Sequence, residues 1–168
     1  VAYVALGSNL DNPRRHVENA VTELGALPTS HLTASSSLYS SAPRGTSGQQ
    51  PDYINAVAEI ETCLSVTNLM AELAQIEKKH GRLRGEKNAA RSLDLDLLLY
   101  GEQVVTTLKL TLPHPRLHLR AFVVLPLYEI AQQLRIPGRG RLEAWLPAVS
   151  YQQTRLLSEV NARNSACQ

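Results

Sequence analysis

At 168 residues and 43% hydrophobic content, the chain is sized for one domain, 1–168, that buries a substantial core without covalent staples. Its two cysteines, Cys63 and Cys167, exclude a disulfide framework and lack metal-ligand spacing, so free thiols in a reducing, cytoplasmic setting are expected. A formal net charge of +2 argues against a general nucleic-acid-binding surface, and the apolar run Ala121 to Leu127 is too short to span a bilayer.

The opening Val1-Ala2-Tyr3-Val4-Ala5-Leu6 reads as a strand ended by a turn at Gly7-Ser8-Asn9, and not as a signal peptide, because no basic residue precedes it. Asp11 or Asn12 can cap a helix with Pro13 at its first position, and Val17, Ala20, Val21 and Leu24 recur at helical spacing until Gly25. Leu32 to Ser40, rich in Thr, Ser and Tyr, reads as an exposed strand. Ser41 to Asp52 (SAPRGTSGQQPD) has the length and composition of a lid. Tyr53 to Thr62 is a strand with Ile54, Ala56, Ala58 and Ile60 on one face and Tyr53, Asn55 and Val57 on the other. Ser65 then caps a helix whose Leu69, Met70, Leu73 and Ile76 make a buried stripe, and Gly81 ends it.

The next segment carries the chemistry. In Leu93-Asp94-Leu95-Asp96-Leu97, acids and leucines alternate, so a strand sends both carboxylates to one face while the leucines anchor the other. Lys78, Lys79, Arg82, Arg84, Lys87 and Arg91 crowd in just upstream. Magnesium takes one or two carboxylates together with substrate phosphates, and guanidinium groups match phosphate oxygens with paired hydrogen bonds. Either feature alone is common on an ordinary surface; their adjacency points to a metal and polyphosphate site.

Gly101-Glu102 turns the acidic strand back into Gln103 to Val105, and Leu112-Pro113-His114-Pro115 makes a stiff connection. A helix is expected from near Leu117 until Pro126 breaks it, and Leu142, Trp145 and Leu146 suggest a short final helix. Beyond Ser150 the pattern fades, and residues 150–168 read as a loosely packed tail. The order β-α-β-β-α-β is that of a ferredoxin-like α+β sandwich, here with an additional C-terminal hairpin and helices.

Four stretches carry a family resemblance: Ala5-Leu6-Gly7-Ser8-Asn9, Pro51-Asp52-Tyr53-Ile54-Asn55, Arg91-Ser92-Leu93-Asp94-Leu95-Asp96-Leu97-Leu98, and Leu112-Pro113-His114-Pro115. In order and spacing they resemble the 6-hydroxymethyl-7,8-dihydropterin pyrophosphokinases, over roughly residues 1 to 146. The resemblance implies transfer of the terminal diphosphate of ATP onto a reduced pterin in folate biosynthesis, with release of AMP. It implies two Mg2+ ions on Asp94 and Asp96, and Arg82 and Arg91 clamping the transferred group, with Arg84 beside them. Lys109, Thr111, His114 and Arg120 match nucleotide-contacting positions. Ser41, Tyr53, Asn55 and Phe122 match the pterin pocket, Tyr53 and Phe122 as the aromatic pair around the ring and Asn55 as the reader of its polar edge.

Asn88-Ala89-Ala90 stands where the family usually has an aromatic-Gly-Pro, so a tryptophan that closes over the site is missing. Ser41-Ala42-Pro43-Arg44-Gly45 likewise replaces a more apolar lid. The partners implied are ATP and the pterin acting on a monomer, without nucleic acid or membrane. A ferredoxin-like RNA-binding module is the alternative from another class; the chain lacks its aromatic-rich strands, and an acidic pair repels a phosphate backbone.

Overall fold

The alternation over 53–62 produces the strand around which the sheet is built. In the computed structural model, which describes residues 1–43, 50–81 and 92–157, β1 (Ala2–Ser8), β2 (Ser30–Ser35) and β3 (Tyr39–Ser41) all pair antiparallel with β4 (Tyr53–Thr62). On its other side β1 pairs antiparallel with β5 (Asp94–Tyr100). Helix α1 (Pro13–Gly25) connects β1 to β2, and α2 (Val66–Lys79) connects β4 to β5. A small hairpin of β6 (Val105–Thr106) and β7 (Thr111–Leu112) follows, then α3 (Ala121–Ile130) and a second hairpin of β8 (Arg135–Ile136) and β9 (Gly140–Arg141). Helix α4 (Leu146–Val149) and β10 (Thr154–Leu156) end the described chain, and β10 pairs with β3 to give the sheet order β10-β3-β4-β1-β5. This is an α+β architecture.

Each sheet face has its own core. Val4, Leu6, Ala56, Ala58, Ile60, Leu95 and Leu97 face α1 and α2, whose Val17, Ala20, Leu24, Leu69, Leu73 and Ile76 are buried against them. Ser65 accepts the Asn68 N–H at 3.1 Å, as its capping position predicts. Gly81, at φ +79, takes the left-handed conformation that ends the α2 segment. The opposite face carries Tyr3, Val57 and Leu98 under α3, where Val123, Val124 and Leu127 are buried.

Several expectations are corrected. β1 runs on through Gly7 and Ser8 because their backbones stay paired to Asn55 and Ile54. Asn12 starts α1 with no side-chain cap; at φ 63 it offers its carbonyl to the N–H groups of Arg15 and His16 at 3.1 and 3.3 Å. The single strand over 32–40 is two strands. Ser36 donates its N–H to Val57 O and accepts the Val57 N–H on its own Oγ, both at 2.9 Å, so a side chain replaces a backbone carbonyl in the ladder. Ser37 N, Ser37 Oγ and Tyr39 OH then all donate to the Glu129 carboxylate on α3, at 2.9, 2.7 and 2.6 Å.

Residues 105–106 pair with β7 instead of returning along β5. Leu117–Leu119 is only a 3-10 turn, and α3 continues past Pro126 to Ile130. An interior proline costs about 3 kcal/mol. Burial of Val123, Val124 and Leu127, at about 1.5–3 kcal/mol per side chain, offsets it. Finally, residues 154–156 form an edge strand where a loose tail is expected.

Candidate active site

Residues opposite one another in an antiparallel ladder share a face. Asp94 lies opposite Gly7, Gly7 opposite Asn55, and Asn55 opposite Tyr39, so one row crosses β5, β1, β4 and β3. Asp96 lies opposite Ala5 on the same face. Both aspartates are half-buried, between leucines that are buried on the other side. Asp94 and Asn55 stand two strand spacings apart, about 10 Å. Between them Gly7 contributes no side chain: a Cβ there would stand 3.4 Å from Asn55 Oδ1 and 3.7 Å from the Tyr53 ring. The result is an acid wall, a bare floor and an amide wall.

The amide wall is fixed from behind. Asn55 and Ser41 are both buried, and Asn55 Nδ2 donates to Ser41 Oγ at 2.7 Å. Tyr53 is half-buried and lies opposite Ser41. Buried Asn9 donates Nδ2 to Gln50 Oε1 and to Pro51 O, at 3.2 and 3.3 Å, tying the end of β1 to the entry of β4. Buried Ser8 donates its hydroxyl to Ser92 O, which does the same for the approach to β5.

On the acid side, β5 carries a bulge: Val4 pairs with Leu97 and Tyr3 with Leu99, leaving Leu98 outside the ladder. Leu98 O accepts the His114 N–H at 2.9 Å, which draws the loop after the cis Leu112-Pro113 bond against β5. His114 then feels Arg120, Arg116 and Asp94. Burial first, and the two arginines after it, push its imidazole down to about 4, against the opposing influence of Asp94. Its Nδ1 accepts the Arg116 N–H at 3.1 Å, so the neutral ring carries its proton on Nε2. Arg120 lies with its guanidinium carbon 5.5 Å from the centre of the Phe122 ring, a cation-π contact at the start of α3.

Asp94, Asp96, Ser41, Tyr53 and Asn55 thus share one sheet face, and His114 and Arg120 approach it from the following segment. Thr111 is half-buried at the start of β7, and Lys109 is exposed on the turn before it, with no hydrogen bond or ion pair to these groups among the described residues. Arg82, Arg84 and Arg91, like Arg44 and the Asn88-Ala89-Ala90 stretch, lie outside the described residues. Sequence reasoning missed the floor made by Gly7, although its glycine sits within a stretch that carries the resemblance. It also missed Gln152, whose side chain reaches the start of α3.

Two carboxylates on one face of an anchored strand are a hard-oxygen donor set, which fits Mg2+. Among the described residues no group of three or more His, Cys, Asp or Glu is gathered for a metal. No described helix is long and apolar enough to cross a membrane.

The family model described as 7,8-dihydro-6-hydroxymethylpterin-pyrophosphokinase matches residues 3–132. The chain is 47% identical over 137 residues to the 2-amino-4-hydroxy-6-hydroxymethyldihydropteridine pyrophosphokinase of Haemophilus influenzae, covering 82% of this chain and 85% of that one. It is 41% identical over 150 residues to the protein of the same name from Pseudomonas aeruginosa, covering 89% and 92%. With the Bacillus subtilis protein of that name the identity is 37% over 134 residues, 80% of each chain.

Proposed function

The chain belongs to the 7,8-dihydro-6-hydroxymethylpterin-pyrophosphokinase family, and from that membership we propose that it transfers the terminal diphosphate of ATP to the hydroxymethyl group of 6-hydroxymethyl-7,8-dihydropterin, a step of folate biosynthesis. The substrate hydroxyl oxygen bonds to the β-phosphorus, the bond from that phosphorus to the α,β-bridging oxygen breaks, the hydroxyl proton passes to solvent water, and AMP leaves with the bridging oxygen. The observation that carries this reading is the row Asp94, Gly7, Asn55: a carboxylate for a metal-bound polyphosphate and an amide for a heterocycle, with only a glycine between them.

Asp94 and Asp96 would hold the magnesium ions. When bound, these neutralise phosphate charge and lower the pKa of the attacking hydroxyl. The residues do the rest. Asn55, its Nδ2 engaged by Ser41, turns Oδ1 toward Gly7 as an acceptor for donors on the edge of the pterin. Tyr53 and Phe122 supply aromatic faces, and a planar heteroaromatic stacks on such faces. Neutral His114 offers its Nε2–H to a phosphate oxygen, and Arg120 adds positive charge beside it. Arg82 and Arg91 would clamp the transferred group with Arg84 beside them, while Lys109 and Thr111 would meet the nucleotide. Positioning and charge stabilisation then account for most of the catalysis.

The sheet order, with β4 and β5 flanking β1 and with β2 and β3 together in the place of one strand beyond β4, supports a ferredoxin-like arrangement within the α+β class. A single domain over 1–168, acting in the cytoplasm as a monomer and without nucleic acid, completes the reading. The test is to incubate the protein with ATP, Mg2+ and the reduced pterin. AMP should appear in step with the pterin diphosphate, chelation of the metal should stop it, and formation of ADP instead would overturn the assignment.

A further inference from the structure

One side chain from far along the chain holds the backbone on both flanks of Arg120. Gln152 Oε1 accepts the Ala121 N–H at 2.9 Å, and Gln152 Nε2 donates to Leu119 O at 2.7 Å. The pair of bonds mimics the edge of a strand and uses both ends of the amide, so the rotamer of Gln152 and the local backbone fix each other. The Ala121 N–H is one of the donors left without an intrahelical partner at the start of α3, and Arg120 supplies no side-chain cap. Arg120 and Phe122, which make a cation-π contact with each other, flank that N–H in sequence.

Gln152 is itself held on both sides. Its N–H donates to the carbonyl of buried Val149, and its carbonyl accepts from Thr154 N, each at 3.0 Å. Two residues on, β10 begins, with Thr154 opposite Ser41, and the Leu157 N–H reaches Leu38 O at 2.9 Å. The same short segment therefore grips the strand that carries Ser41 and the helix start that carries Arg120 and Phe122. It lies beyond the stretch matched by the family model.

We propose that residues 149–157 brace the site and that Gln152 is a positioning residue for Arg120 and Phe122, setting affinity for the pterin and the nucleotide phosphates without touching either. The inference rests on the function proposed above. In the full chain, Gln152→Ala should raise KM for both substrates and lower kcat/KM about tenfold, as expected when groups that orient substrate are loosened. Gln152→Glu should also be impaired, because a carboxylate still accepts from Ala121 N but cannot donate to Leu119 O. In an Arg120→Ala background Gln152→Ala should cost little more in kcat/KM for ATP, the part of its effect that passes through Arg120, while the rise in KM for the pterin, which passes through Phe122, persists.

Amide exchange of the protein without substrates supplies a readout independent of activity: Gln152→Ala should speed exchange at Ala121 about tenfold, and at residues distant from it not at all. Wild-type kcat/KM in Gln152→Ala, a full tenfold further loss of kcat/KM for ATP on top of Arg120→Ala, or unchanged exchange at Ala121 would each overturn the proposal. If the unmodified protein makes no AMP, the proposed function fails by itself, while slower or faster exchange at Ala121 still decides whether Gln152 holds this segment.

Discussion

Asn55 donates its side-chain amide to the hydroxyl of Ser41 at 2.7 Å, and both residues are buried. This bond orients the amide whose Oδ1 faces Gly7. Ser41→Ala leaves Asn55 Nδ2 without its partner in a buried site, at a cost of about 1–3 kcal/mol, part of it in stability and part in ligand recognition. KM for the pterin should rise about three- to tenfold, while KM for ATP changes little. Steady-state kinetics with each substrate varied in turn checks this, and equal rises for both substrates would count against an amide that reads the pterin alone.

Asp94 and Asp96 share a face, but they do not share a cross-strand neighbour: one stands opposite Gly7 and the other opposite Ala5. Neither carboxylate is needed to fill the core, which Leu95 and Leu97 occupy from the other side of the strand. Asp96→Ala should therefore keep its cooperative melt and its far-UV spectrum while losing transfer activity by on the order of a thousandfold. Near-normal turnover at saturating Mg2+ would remove the metal role from this pair.

The parts of the fold that sequence could reveal are those set by local chemistry. Ser65 caps α2 through a bond three residues away, and the period-two alternation of β4 and β5 states which side chains share a face. The common face of Asp94 and Asp96, and that of Tyr53, Asn55 and Val57, were legible for that reason. What stayed hidden depends on partners remote in the chain. β2 and β3 are separate because Ser37 and Tyr39 reach for Glu129, and α3 starts at Ala121 where Gln152 receives its first N–H. Pro126 does not end α3 because the burial of Val123, Val124 and Leu127 outweighs the local cost of an interior proline.

Gly7 tests the floor directly. A methyl there makes ordinary contacts with Asn55 Oδ1 and the Tyr53 ring, at 3.4 and 3.7 Å, so Gly7→Ala should fold with nearly unchanged stability. A larger β-branched side chain extends into the gap between Asn55 and Asp94, where the proposed ligand ring lies. Gly7→Val should therefore weaken pterin binding about a hundredfold or more, out of proportion to any fall in Tm. Calorimetric titration with the pterin, beside a thermal melt, separates the two effects. Unimpaired binding by Gly7→Val would place the ring elsewhere.

His114 links the site to pH. Burial, then Arg120 and Arg116, bring its pKa down from 6.5 to about 4, with Asp94 opposing. Between these values the unfolded chain binds a proton that the folded chain excludes, so unfolding free energy rises with pH across that window. The contribution is fully present above about pH 6.5 and is lost as the pH falls toward about 4. His118 is shifted in the same direction, by burial first and by Arg139 second, so the wild-type slope contains both histidines. Removing one at a time separates them: His114→Asn should flatten the pH dependence of stability between about 4 and 6.5 while the His118 share remains. The same pKa keeps the ring neutral near pH 7, with Nδ1 engaged by Arg116 N and its proton on Nε2, so no limb of the kcat/KM profile should come from His114 near neutrality. Denaturant unfolding at several pH values measures the slope. If His114→Asn leaves it as steep as before, the half-buried imidazole is not held neutral, and its place as a hydrogen-bond donor to phosphate goes with it.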